Sequence, residues 1–274
     1  MQVVYDCFPV GGAIYGRKQV FMRAVCASAK QAILSRGFLL AFAGTALVVL
    51  LAAFEGVLGA FRSEQLLPYG YHHTLILGSL SSQPMALALP ILCALPYTAA
   101  FLDDVKSGFI KAYLPRTTVD GYIMSRALGC AISGGLAISL GILAAYGIAA
   151  LLLLPLEAMR DYLLEPPGYF RQLLETLLMF FASGAFWALV GLTFATLTNS
   201  RYMAYASPFV LFYLLVILYE RYFDKLYVLY PREWLEPSDR WVFGRIGVAV
   251  LLLELSALMA LLFAWAAKRR LRQI

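Results

Sequence analysis

Charge is scarce in this chain. Asp, Glu, Lys and Arg make up 14% of the 274 residues, against 62% hydrophobic ones. An ordinary soluble domain carries about 25% charged residues. The shortfall excludes a water-facing globule of this length. Cysteine is nearly missing as well. Cys7, Cys26, Cys93 and Cys130 are the only four. All lie in segments read below as cytoplasmic or intramembrane, which argues against a disulfide framework, and their spacing does not fit zinc. Histidine is limited to the neighbours His72 and His73. With no partner ligands evident they are expected to be a surface pair, and no metal site is expected. The chain also lacks G-x-x-x-x-G-K-[ST], His-Glu-x-x-His and G-x-S-x-G. It therefore has no P-loop ATPase site, zinc-protease helix or hydrolase elbow of its own. Ser133-Gly134-Gly135 does not make an intramembrane protease, because both histidines lie at a different depth.

What the chain has instead is long apolar runs. Six stretches, at 38–60, 84–102, 127–154, 173–197, 202–219 and 242–267, each approach the ~20 residues that cross a ~30 Å hydrocarbon layer as a helix. Lipid offers the backbone no water to bond, so each is expected to be helical. The prediction is an all-α polytopic membrane protein with six transmembrane helices spanning 38–267. A cytoplasmic segment, 1–37, precedes them and a basic tail, 268–274, follows. No soluble catalytic domain fits in the remainder. Residues 1–37 show no signal-peptide pattern, so the first crossing is expected to serve as the targeting signal.

Basic residues crowd to one side. With both termini placed inside, the inner segments hold 14 of the 22 Lys and Arg but only four of the 16 Asp and Glu. This asymmetry places both ends in the cytoplasm. The net charge of +6 is thereby read as topology and contact with anionic lipid, not as nucleic-acid binding.

Within 17–36 an interfacial amphipathic helix is expected, with Phe21, Ala24, Val25, Ser28 and Ala32 near one face and Arg17, Lys18, Arg23 and Lys30 adding charge. A solvated basic leader is the alternative. Gly37 then gives room to bend into the first crossing. Between the second and third crossings, Asp103 or Asp104 is placed to cap a short helix bearing Val105, Phe109, Ile110 and Tyr113; Pro115 ends it, and Thr117 or Thr118 caps the next. A basic, aromatic-bearing helix there suits docking of a partner protein, or serves as a plain connector. The third crossing carries small residues at every fourth position: Gly129, Ser133, Ala137, Gly141, Ala145 and Ala149. Such a ridge lets another helix approach closely, favouring one from the same chain. Glu254 is the one acidic residue deep in a predicted crossing. It is expected to line a pathway, lock the last helix to its neighbours, or be protonated and hydrogen-bonded. Between the fifth and sixth crossings, Tyr and Trp residues suit the outer headgroup zone, and a dip toward the membrane around 226–230 is an option.

The segment 103–126 reads acidic residue, Ser107-Gly108, Leu114-Pro115-Arg116, Gly121-Tyr122, Ser125-Arg126, and 191–200 reads Gly-Leu-Thr-Phe-Ala-Thr-Leu-Thr-Asn-Ser. With the six crossings and the N-terminal helix, these resemble the membrane (permease) subunits of the type-2 exporter family of ABC transporters. The resemblance implies a pair of permease subunits, same or different, driven by two copies of a separate ATPase that holds the ATP and Mg. It implies that Val105, Gly108, Phe109, Ile110, Tyr113, Leu114 and Arg116 form the ATPase-coupling segment, assisted by Arg17, Lys18, Phe21 and Arg23 of the interfacial helix. It also implies outward movement of a peptide, lipid, drug or polysaccharide across the cell membrane. Two other readings stand beside it: a non-transporting immunity or assembly protein, and an ion-coupled transporter using Glu254.

Overall fold

A computed structural model describes residues 15–63, 65–113, 118–158, 168–223, 227–238, 240–241 and 243–273, with the side chains of 15–21 and 112–113 excepted. The chain is an all-α polytopic membrane protein, and no strand occurs among the described residues. Among the described residues five helices are long and apolar enough to cross a membrane, and they are six if the bent pair Tyr71–Leu80 and Gln83–Leu92 is counted as one span.

Helix α1 (Tyr15–Ile33) buries Ser28 and Ala32 on one side and leaves Met22, Arg23 and Lys30 exposed. Ser28 and Ala32, four apart, share one face of the helix. A turn at Leu34 and Ser35 separates it from α2 (Arg36–Arg62). The Ser35 hydroxyl accepts from the Phe38 N–H at 3.1 Å and donates to the Pro96 carbonyl at 3.1 Å, so one residue caps α2 and ties it to the second passage. Gly37 is not the bend expected. It is a close approach, since a Cβ there would lie 2.2 Å from the Leu95 carbonyl oxygen.

The second passage differs most from the expectation. It is not one helix over 84–102, and the segment 61–83 is not simply a loop. Helix α3 (Tyr71–Leu80) and helix α4 (Gln83–Leu92) meet at 65°, residues 93–99 run in turns, and α5 (Ala100–Lys106) follows. The break has a local cause. Pro84 in the first turn of α4 has no N–H to continue the ladder from α3, and extended Ser82 (ψ 154°) turns the chain.

Helix α7 (Val119–Leu153) starts on the Thr118 side chain, which accepts from the Gly121 N–H at 3.2 Å, and ends in a 3-10 turn, Leu154–Leu156. Helices α8 (Tyr169–Thr198), α9 (Arg201–Arg221) and α10 (Gly244–Leu271) complete the bundle. Each contains its predicted apolar stretch, apart from the first two residues of the last one. α8 is the innermost, with two thirds of its apolar window buried, while α10 has only 17% of its window buried.

The ridge on α7 packs inside the chain. Gly129 lies against Ser28 of α1, and Gly141 lies against Thr45 and the Phe42 carbonyl of α2. Ser133, Ala137, Ala145 and Ala149 are fully buried. On the other side of α7, Gly134 faces Ala188 and Gly184 of α8. Two bare helix faces thus let α7 sit between α2 and α8 at close range, where dispersion is the main attraction in lipid. An aromatic cluster of Phe186, Trp187, Phe212 and Trp234 fills the centre, with ring centroids 4.8–5.9 Å apart. Trp234 comes from the segment between α9 and α10, so that segment does turn inward. Its anchor is Trp234 rather than 226–230, of which Leu226 lies outside the described residues. The Trp234 indole donates to the Val228 carbonyl at 2.8 Å.

Candidate functional site

The two ends of the bundle are chemically different. At one end, called the basic end here, α1, the start of α2, α5, the start of α7, the end of α8 and the tail of α10 converge. Arg270 donates to the Thr196 carbonyl at 2.5 Å, Lys268 pairs with Asp120 at 2.7 Å, and Phe263 packs edge-on against Phe101. The first and the last described helix, α1 and α10, share this end.

Its centre is Arg126, 6% exposed. The guanidinium pairs with the Asp104 carboxylate at 2.6 Å and donates to the Gln31 side-chain oxygen at 3.1 Å. It also lies over the rings of Tyr97 and Tyr122, at 5.4 and 5.3 Å. Tyr122 donates its hydroxyl to Asp104 at 2.5 Å, and Tyr97 donates to Gln31 at 3.0 Å. One buried cation thus joins α1, the turn before α5, α5 and α7. Burial pushes the Asp104 carboxyl up to about 6; the Tyr122 hydrogen bond opposes this and the neighbouring Asp103 carboxylate adds to it. Asp103 pairs with Arg201 of α9 at 2.6 Å. Neither aspartate is the cap expected of it: both lie inside α5, which begins after Ala99.

The predicted coupling helix is divided. α5 stops at Lys106, and Gly108 at φ 74° takes a left-handed turn that favours glycine. The five-residue helix α6 (Phe109–Tyr113) follows. Val105 therefore belongs to α5, half-buried against the basic-end core, and not to the helix bearing Phe109. Ile110 is buried in that core, while Phe109 is 45% exposed. Leu114 and Arg116 lie outside the described residues, as do the side chains of Tyr113, Arg17, Lys18 and Phe21. Arg23 is exposed on α1.

The opposite end corrects the reading of the histidines. His73 is 1% exposed, and His72 is held by Glu157, whose side chain is 2% exposed. The carboxylate accepts from the Gly70 and His72 backbone N–H groups at 3.0 and 2.8 Å and meets His72 Nδ1 at 2.7 Å. Tyr146 Oη lies 3.2 Å from His72 Nε2 and 3.4 Å from His73 Nδ1, and His73 Nε2 lies 3.2 Å from Gln172. The pair is a buried clasp joining α3, α7 and α8. No group of three metal-ligating side chains occurs among the described residues. Glu254 stands on the exposed face of α10, and no hydrogen bond or ion pair reaches it among the described residues. It does not lock α10 within this chain.

Sequence reasoning missed Gln31, Tyr97 and the linking role of Arg126. One signal was present: Tyr122 and Arg126 are four apart, on one helical face, at the edge of a long apolar run. No family model matches the chain, and no curated protein matches it significantly.

Proposed function

We propose that this chain is the permease subunit of an ATP-driven exporter of the type-2 ABC kind. In this reading the basic end is cytoplasmic, the membrane is the cell membrane, and two copies of a separate ATPase carry the ATP and Mg. A second permease subunit, same or different, completes the pathway. The observation that carries the reading is the construction of the basic end. α6 presents Phe109 outward, and its root is fixed by Ile110 in the core. That core is joined by the Asp104–Arg126 pair to α1, α5 and α7. A push on α6 would therefore reach several membrane helices as one body, the kind of rigid shift packed interfaces transmit. Glu254 fits the pairing. An unpartnered carboxyl facing lipid near a helix centre costs about 2.5–3.5 kcal/mol, a cost that a second subunit over α10 removes.

Co-purification tests the reading. The tagged full chain, purified from the cells that naturally make it, should carry a P-loop ATPase with it stoichiometrically. Phe109→Asp should uncouple ATP hydrolysis from transport while the protein stays inserted. If no ATPase is retained by the wild type, the non-transporting immunity or assembly reading replaces this one. If Phe109→Asp couples normally, α6 is not the contact.

A further inference from the structure

The histidine clasp, at the end opposite the basic end, is an unbroken chain of polar contacts. It runs from the Glu157 carboxylate to His72 Nδ1 at 2.7 Å, and from His72 Nε2 to the Tyr146 hydroxyl at 3.2 Å. From that hydroxyl it reaches His73 Nδ1 at 3.4 Å, and it ends where His73 Nε2 meets the Gln172 side-chain oxygen at 3.2 Å. Both ends of the chain are acceptors. Glu157 already takes the Gly70 and His72 backbone N–H groups, so it faces the imidazole as a carboxylate. The oxygen of a side-chain amide has no hydrogen to give.

Four contacts need four hydrogens. The groups between the two ends are two imidazoles and a phenol, and in its neutral form each carries one hydrogen. The chain is therefore one hydrogen short. His72 Nδ1–H donates to Glu157, which leaves Nε2 to accept from Tyr146. Tyr146 in turn accepts from His73 Nδ1–H. The deficit falls on the last contact, where His73 Nε2 and the Gln172 oxygen set lone pair against lone pair. One added proton removes it, because an imidazolium donates from both nitrogens. Either ring can carry that proton. If it sits on His72, the Tyr146 hydroxyl turns to donate to His73 Nδ1, and His73 donates from Nε2 to Gln172.

We propose that this chain is a binding site for one proton, shared by His72 and His73, which makes the clasp sensitive to pH. With the proton bound, all four contacts are made and α3 is tied to both α7 and α8. Without it, the tie to α8 holds only if the Gln172 amide turns over and donates. The two states thus differ by one proton and one rotated amide. The surroundings suit the charge. Glu157 offsets it, and His73 stacks on the Tyr169 ring at 4.4 Å, where a cation is favoured. The other titratable groups within reach are the Tyr69, Tyr146 and Tyr169 hydroxyls. From α2 the Gly56 carbonyl meets Tyr71, and Glu55 is exposed. Helix α4 carries no titratable side chain, and on α8 Arg171 and Glu175 pair with each other. The segment 159–167, with Arg160, Asp161 and Glu165, lies outside the described residues. A proton needs no cavity, and the His72 side chain, 12% exposed, gives it a route to water. The site holds whether or not the chain exports anything.

His72 and His73 are the only histidines in the chain, so histidine-selective nitrogen-15 labelling reports on this site alone. The purified full chain in a neutral maltoside is followed by NMR from about pH 5 to about pH 9, the range that brackets imidazole titration. The nitrogen shifts show which ring nitrogens carry a hydrogen. The expected result is a single imidazolium between the two rings, lost in one step that moves the shifts of both rings together as pH rises. Two neutral rings throughout, two imidazolium rings, two independent steps, or a charge that never leaves overturns the proposal. Gln172→Met, at an exposed position of α8, removes the far acceptor and leaves three contacts for three hydrogens. It should weaken proton binding roughly tenfold, as loss of a hydrogen bond from a charged group does, and so lower the step by about one pH unit. An unmoved step in this variant overturns the proposal. Tyr146→Phe cuts the chain in the middle, and the two rings should then titrate separately; a step still shared by both rings overturns it. Should Tyr146→Phe fail to fold, wild type and Gln172→Met decide the matter.

Discussion

Replacing Arg126 by Met keeps the apolar stem and removes the cation at the centre of the basic end. The Asp104 carboxylate, 15% exposed, then loses its partner at 2.6 Å. Gln31 loses its guanidinium donor, and the rings of Tyr97 and Tyr122 lose the charge over their faces. Breaking one side of a buried ion pair costs about 3–5 kcal/mol. The lower end is expected here, because Asp104 keeps the Tyr122 hydroxyl and some access to water. The assay is SDS-induced unfolding of the purified protein in mixed micelles, followed by tryptophan emission at pH 7.5. The pair also predicts its own rescue. Asp104→Leu with Arg126→Met removes both charges together and should return to within about 1 kcal/mol of wild type, since buried pairs are often replaceable by apolar residues. A single Arg126→Met variant within about 0.5 kcal/mol of wild type would refute the reasoning, as would a double variant no better than the worse single one.

Three other outcomes follow from the same packing. Asp104 titrates at about 6 in the folded protein and near 4 when unfolded. Between those values the folded chain holds a proton that the unfolded chain has released. Wild type should therefore lose stability relative to Asp104→Asn as pH rises from about 4 to above 6, and a pH-independent difference in unfolding midpoint would contradict this. Glu157→Ala leaves the Gly70 and His72 N–H groups without an acceptor and should cost about 3 kcal/mol, visible as faster proteolysis at the opposite end; unchanged cleavage rates would count against the clasp. Gly141→Ala places a methyl 2.6 Å from Thr45 Cβ and 2.8 Å from the Phe42 carbonyl oxygen and should lose about 1–3 kcal/mol. Gly147→Ala, with nothing within 4 Å of its Cβ, should gain up to about 1 kcal/mol; equal effects at the two sites would contradict the ridge contact.

The crossings were legible wherever the apolar run was uninterrupted, as in α2, α7, α8, α9 and α10. Hydropathy is a local property, and lipid leaves the backbone one solution. The second passage was not, because its form depends on punctuation that hydropathy averages away. Pro84 ends continuity with α3, and Tyr71-His72-His73 looks like a polar loop until Glu157, 85 residues from His72, is brought alongside. The segment expected to couple to an ATPase was half legible. Its aromatic and basic content marked it, but Gly108 divides it at a left-handed turn that no periodicity signals. The Asp103-Asp104 pair was read locally as a cap, whereas tertiary partners on α7 and α9 claim both carboxylates. Partners such as Gln31 and Arg126 meet only in the fold, so no window of sequence could have joined them.

The seat of α1 is built by α7, and this sets an order of events at the ribosome. Gln31 emerges 95 residues before the arginine that holds it. At ~5–20 residues per second, that interval is about 5–20 s. Through it the first helix lacks its seat on α7, and Tyr97, 66 residues after Gln31, is its earlier partner. Helix α10, made later than these, then closes the same end by setting Phe263 on Phe101 and Lys268 on Asp120. Nascent chains arrested before residue 126 should carry an undocked leading helix, and those arrested before residue 263 an end that is assembled but not yet shut.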